Sequence, residues 1–226
     1  MLLRGDPSSL RQWLQQVGAE RAGFCVAIIF VGTGAFGAAV GWWRSETQAW
    51  YTALKLPLIL LLTAGGNALL NGVLAPLLGL NLTFRQAALA VLLSFALAAA
   101  ILGSVTPLLA FFVWNLPPMN EAQPEHNPAY YGLLLTVVGA IAFAGIAANL
   151  RLLQLLTALA GNATIARRLL VGWLAANLLL GAQLAWIGRP YFGHPNLPVE
   201  FLRADAWSGN FFEAVVFSAR ALFNNY

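Results

Sequence analysis

Thr63, Asn67 and Asn71 are the first candidates for chemistry, because they interrupt the otherwise apolar run LPLILLLTAGGNALLNGVLAPLLGL at i, i+4 and i+8. A helix through this run carries all three on one face. Amide and hydroxyl groups in an apolar medium need partners, so that face is expected to point into a bundle or at another subunit. Hydrogen bonding between helices is its ordinary role. A solute or ion path is the sharper one, and the neighbouring Gly65-Gly66 pair would assist it by loosening the helix. Asn149, Asn177 and Gln183 are the other amides embedded in apolar runs. Arg151 lies close enough to the end of its run to snorkel to the interface.

The residues that are missing narrow the chemistry further. No Asp, Glu, Lys or His stands in the middle of an apolar run, although proton relays and ion-coupled carriers normally need one. Glu121, Glu125 and His126 share a proline-bounded loop, and one histidine there is weak support for a metal. His194 is likewise outside the runs, so no intramembrane histidine is available to ligate a haem or chlorin. HExxH, GxSxG and GxxxxGKS are all absent, as are paired intramembrane aspartates. Catalytic, cofactor-binding and metal-binding residues are therefore expected to be none, and an enzyme is not expected.

Elements that could position such residues follow from the composition. The chain has 226 residues, of which 60% are hydrophobic and only 9% charged; a soluble domain carries about 25% charged residues. Its mean hydropathy is +0.73. Such a chain cannot clothe a surface facing water. Five apolar runs, about Ala22–Trp43, Leu56–Leu80, Gln86–Trp114, Tyr130–Leu156 and Leu169–Gly188, are each long enough for a hydrocarbon core that takes ~20 helical residues to cross. None alternates with period two, and lipid admits only helices or closed barrels, so an all-α bundle of five transmembrane helices is predicted. Pro76 and Pro107 are expected to end or kink the second and third helices, unless those helices tilt.

Loop arginines set the orientation. With the N-terminus inside, the inner segments hold Arg4, Arg11, Arg21, Arg85, Arg151, Arg167 and Arg168. The outer segments hold Arg44, Lys55, Arg189, Arg203 and Arg220. Trp42, Trp43, Trp114, Tyr130, Tyr131 and Trp186 gather at the outer ends as an interfacial belt. The expectation is N-in, C-out. Residues 1–21 form a cytoplasmic amphipathic segment with a stripe of Leu10, Trp13, Leu14 and Val17, residues 22–188 the membrane domain, and residues 189–226 an outer tail. Two more interfacial helices are expected: Ser45–Leu56, with an apolar face of Ala49, Trp50, Ala53 and Leu54, and residues 210–226, with Asn210 and Glu213 at capping-box spacing. NLT at Asn81 and NAT at Asn162 fall inside in this topology and read as turn residues. Cys25 is the single cysteine and excludes an intramolecular disulfide.

Small residues should bring the helices together: Gly37 and Gly41 as a GxxxG, Ala96 to Gly103 in the third run, and Gly139, Ala142, Gly145 and Ala148 in the fourth. No internal repeat suggests an inverted-repeat transporter.

KLPLILLLTAGGNALLNGVLAPLLGLNLTFRQAALAVLLSFALAAAILGSVTP, an outer loop, IAFAGIAANLRLLQ and then IARRLLVGWLAANLLLG follow one another in an order that resembles the membrane domain of the Yip1-like family. The likeness covers roughly Trp50–Gly188. It implies five helices, a cytoplasmic N-terminus and a short FRQ-type turn between the second and third. KLPL stands where eukaryotic members carry an acidic-Leu-Tyr-Gly-Pro stretch, so neither trafficking partners nor functional residues are carried over. The expected function is a non-enzymatic scaffold or accessory subunit of a membrane complex. The alternative is a small-solute permease or channel on the Thr63–Asn67–Asn71 face. Expected partners are the lipid bilayer and other membrane subunits or further copies of the chain, with no nucleic acid and no cofactor. The Ala/Leu/Arg usage points to a bacterial cytoplasmic membrane.

Overall fold

The computed structural model describes residues 18–77, 83–117, 128–193, 197–213 and 216. Five helices make up the described chain: α1 (Ala19–Trp42), α2 (Glu46–Leu77), α3 (Phe84–Trp114), α4 (Pro128–Ala160) and α5 (Ala163–Gly188). There is no strand among the described residues. Each helix is long and apolar enough to cross a membrane. Even α1, with 24 residues, is about 36 Å long at ~1.5 Å per residue. The amphipathic stripe expected at Leu10–Val17, the loop with Glu121, Glu125 and His126, His194, the Asn81 turn and most of the 210–226 helix lie outside the described residues. Of that last helix, Asn210 Oδ1 accepts from the Glu213 amide at 2.9 Å, the first half of the expected capping box.

One boundary differs from the sequence reading. Ser45–Leu56 is not a separate interfacial helix: Ser45 Oγ accepts from the Gln48 amide at 3.1 Å and opens α2, which then runs unbroken through Pro57. Its exposure also differs, although Ala49 of the expected apolar face is buried. Gln48, Thr52 and Lys55 are buried, whereas Trp50 and Leu54 of the expected apolar face are exposed. In a bilayer the surroundings are apolar and the protein interior supplies the hydrogen-bond partners, so the polar stripe turns inward.

Small residues decide how closely α1 lies on its neighbours. A Cβ at Gly37 would sit 2.5 Å from the Thr52 carbonyl oxygen, and one at Gly41 the same distance from that of Gln48. Gly32 plays the same part against the Ala99 carbonyl of α3, opposite Gly103. The expected packing role of Gly139 and Gly145 is not seen among the described residues, where a Cβ at either would meet nothing within 4 Å. α4 touches α3 and α5 along other faces, and its glycines look outward or into empty space.

Pro107 does not end its helix, whereas Pro76 stands one residue before the last described residue of α2. α3 continues through Pro107, with the Ser104 and Thr106 hydroxyls donating to the Ile101 and Leu102 carbonyls at 2.7 and 3.0 Å. Hydroxyls of this kind help satisfy the backbone around a membrane proline. α3 begins with a full capping box, Thr83 Oγ1 accepting from Gln86 N and Gln86 Oε1 from Thr83 N. Between α4 and α5, Gly161 adopts φ +62, and Asn162 Oδ1 then accepts from the Thr164 and Ile165 amides at 2.8 and 3.4 Å. This is the turn role expected of Asn162.

α1, α2 and α3 pack on one another, while α4 leans on α3 and α5 on both α2 and α4. α2, α3, α4 and α5 thus close a ring. Two apolar clusters fill its ends: Cys25, Ile29, Leu93, Leu156, Leu169 and Trp173 at one, Phe36, Val40, Leu109, Val113 and Leu133 at the other. Arg21, Arg85, Arg151, Arg167 and Arg168 belong to the first end, and Arg44, Arg189 and Arg203 to the second.

Candidate functional site

Between the two apolar clusters the ring borders a half-open cavity of about 510 Å³. Phe36 and Val40 of α1, Ile59 and Leu60 of α2, Phe95 of α3, Val137 and Ile141 of α4, and Leu174 and Leu178 of α5 make most of its wall, and Tyr191 and Phe192 close one end. Besides the Tyr191 phenol, four polar side chains line it: Thr63, Ser94, Asn149 and Asn177, one from each helix of the ring. No Asp, Glu, Lys, Arg or His is among the lining residues.

Three of the five expected polar residues therefore share this cavity, and two do not. Asn67 and Asn71 are buried beside it and pair with each other, Asn71 Nδ2 donating to Asn67 Oδ1 at 3.0 Å. Asn67 Nδ2, Asn71 Oδ1 and Trp173 Nε1 are buried without a hydrogen-bond partner among the described residues. Gly66 faces Leu180 and Gly172 faces Leu74, a register that brings Trp173 within a helical turn of the level of Asn71. The Thr63–Asn67–Asn71 face is one stripe of α2, yet only its Thr63 end opens into empty space.

Within the cavity two of these polar groups are occupied by their own helices. Thr63 Oγ1 donates to the Ile59 carbonyl at 2.7 Å, and Asn149 Nδ2 to the Gly145 carbonyl at 2.8 Å. Asn177 Oδ1 is buried and accepts no hydrogen bond from the described residues. The set can hold a neutral hydrogen-bonding group within an apolar enclosure. It offers no base to activate Thr63 or Ser94 as a nucleophile. Ser94 escaped the sequence reading because a lone serine among SFALAAA looks like one more small packing residue.

A second polar arrangement sits where the tail folds over the ring. Lys55 Nζ, 2% exposed as a residue, donates to the Pro190 carbonyl at 2.8 Å and the Glu200 carbonyl at 3.4 Å, with the Phe201 ring 5.2 Å away. Gln48 Nε2 donates to the Pro190 and Tyr191 carbonyls at 3.1 Å, and Thr52 Oγ1 to that of Tyr191 at 2.8 Å. Tyr191 itself donates to the Ala185 carbonyl at 2.9 Å, and burial raises its phenol above the ordinary tyrosine value, so it stays protonated. Arg189 pairs with Asp205 at 3.2 Å and lies over the Trp186 ring, whose Nε1 donates to the Ser208 carbonyl at 3.3 Å. Gln183 Oε1, an embedded amide in the sequence reading, accepts from the Phe211 amide at 3.4 Å. Residues 48, 52 and 55 follow i, i+4, i+7 spacing, the signal that would have identified this buried stripe. The arrangement is a clamp that fastens residues 189–193 and 197–213 at the cavity's end.

No group of three His, Cys, Asp or Glu side chains placed to hold a metal occurs among the described residues. Comparison with protein families, with curated proteins and with solved structures finds no match to this chain.

Proposed function

We propose that this protein is a non-enzymatic membrane scaffold or accessory subunit that takes up another membrane helix, from a partner subunit or a second copy, along its α4–α5 flank. The supporting observation is how unevenly the bundle covers itself. In the most apolar stretch of α5 only 11% of residues are buried, and in that of α4 22%, against 44% in α1 and α3. On this flank Gly132 and Gly139 have nothing within 4 Å of a built Cβ. Where α1 does pack tightly, it uses glycines against backbone. Small residues of that kind let membrane helices approach each other, and the two on α4 lack a helix to receive.

The orientation in this reading is N-in, C-out. Five arginines against Glu20 gather at the end where α1 and α3 begin, while Glu46, Glu200, Asp205 and Glu213 offset Arg44, Lys55, Arg189 and Arg203 at the other. An excess of arginine marks the cytoplasmic side, of a bacterial inner membrane if the residue usage is a guide. The resemblance to the Yip1-like family agrees with this orientation. A small-solute permease or channel has less support, because Asn67 and Asn71 bond to each other and do not line the cavity.

Mild-detergent purification at native expression level, with particle mass and subunit identity by mass spectrometry, tests the reading. A stoichiometric larger particle is expected, and Gly139→Leu should release it while leaving the monomer folded. A particle of one chain, in wild type and variant alike, would overturn it.

A further inference from the structure

We propose that the cavity within the α2–α5 ring binds a membrane-dissolved molecule that is apolar over most of its length and carries one hydroxyl group. The inference rests on the apolar span helices and the cavity, not on the scaffold reading above. A cavity of about 510 Å³ falls in the ~300–1,000 Å³ range of small-molecule sites, which are mostly apolar with a few placed polar groups. Apolar walls leave such a space dry and favour an apolar guest.

Access is lateral. Val138 and Ile141 of α4 and Leu178 of α5 line the cavity and are nevertheless 53%, 47% and 69% exposed. They form a rim between two helices, well inside the spans, where the surrounding medium is hydrocarbon. A guest therefore enters from the lipid while this flank is free, before a helix taken up along α4–α5 covers the rim.

The polar group of the guest follows from the acceptor that waits for it. Asn177 Oδ1, near the middle of α5, is buried with no donor among the described residues, and a rotation of its amide is what brings it to a donor in the cavity. Leaving such an atom unmet is costly. Thr63 and Ser94, 4% and 9% exposed, lie in the same cavity. A carboxylate or phosphate is not matched, because no cation lines the space. An ion or sugar is not matched either, because the walls cannot replace its hydration. A neutral alcohol is matched: its hydroxyl donates to Asn177 and its chain fills the wall. Straight fatty alcohols and branched isoprenoid alcohols share that chemistry.

The full chain in lipid nanodiscs, photolabelled with a diazirine-bearing octadecanol, tests this. A matched diazirine alkane lacking the hydroxyl serves as the reference probe, and unlabelled octadecanol and geranylgeraniol as competitors. The alcohol should label α4 and α5 peptides around the rim, and excess competitor should suppress that labelling. Asn177→Leu should weaken the alcohol's labelling about five- to tenfold, the value of one hydrogen bond, and leave the alkane's unchanged. Gly145→Phe, placed where a Cβ meets nothing within 4 Å, should fill the space and block both probes. The competitor effective at the lower concentration identifies the straight or the branched body. Uncompeted labelling, equal labelling by alcohol and alkane, or wild-type labelling in Gly145→Phe would each overturn the proposal. Both variants are first checked for monodispersity and for wild-type unfolding. Should Asn177→Leu not fold, the alkane comparison and Gly145→Phe decide alone.

Discussion

Gly41→Ala adds one methyl group at the tightest point of the α1–α2 contact, and its effect can be worked from the geometry. The new Cβ would lie 2.5 Å from the Gln48 carbonyl oxygen, 2.7 Å from its carbon and 2.8 Å from the Ala49 Cα. Close C–H···O contacts sit at about 3.3–3.6 Å, so the helices must part by roughly 1 Å. All three obstacles are backbone atoms and cannot rotate away. α2 is also held from behind, since Gln48 Nε2 donates to the Pro190 and Tyr191 carbonyls. A gap of ~0.5–1 Å forfeits about a quarter to a half of the dispersion energy across a contact, and overpacking of this kind costs about 1–3 kcal/mol. Alanine's better helix propensity returns about 0.5–1 kcal/mol. The net expectation is a loss of about 0.5–2 kcal/mol. Gly23→Ala is the control: it lies in the same helix with nothing within 4 Å of its Cβ, so only the gain of about 0.5–1 kcal/mol remains. Titrating the purified protein with SDS in mixed micelles, with unfolding followed by circular dichroism, ranks the two variants. If Gly41→Ala unfolds at the same SDS fraction as Gly23→Ala or a higher one, the close-packing argument is refuted.

Three further outcomes are expected. Lys55→Met leaves the Glu200 carbonyl without this donor and the Pro190 carbonyl with Gln48 alone, at a cost of about 1–3 kcal/mol, so limited proteolysis should cut residues 197–213 faster than in wild type; unchanged cleavage would show that the clamp does not depend on the ammonium. Asn71→Leu strands Asn67 Oδ1 and should cost about 1 kcal/mol in SDS unfolding, whereas Asn67→Leu with Asn71→Leu removes the orphaned groups as well and should be no worse than the single change; a double variant that costs the sum of both would count against the pair. In a Cys25→Ser background, Ala204→Cys should react with a membrane-impermeant maleimide in intact cells and Arg168→Cys only after permeabilisation, and the reverse pattern would invert the orientation.

Five apolar runs were legible as helices because backbone in lipid has so few ways to satisfy itself, and the run lengths left little choice of number. Gly37 and Gly41 were legible for a related reason: without a hydrophobic drive between helices, small residues at i, i+4 are the available means of close approach. The same rule named Gly139 and Gly145, which meet no neighbour among the described residues. Glycine spacing marks a face that can be approached. It does not say whether the approaching helix belongs to the same chain.

The chain's own sequence determined its class, its five spans, the turn at Asn162 and the presence of a polar stripe on α2, all of which depend on local pattern and the nature of the solvent. Only the tertiary structure decided that Ser45–Leu56 continues into the second span, that Lys55 is held by the Pro190 and Glu200 carbonyls, and that Thr63, Ser94, Asn149 and Asn177 face one cavity while Asn67 and Asn71 close on each other. These outcomes turn on which helices become neighbours and at what rotation. Helices surrounded by lipid gain little from hiding one apolar face over another, so hydropathy carries no record of that choice. It is settled by backbone contacts at single glycines and by carbonyls more than 130 residues away in the chain, as at Lys55 and Pro190.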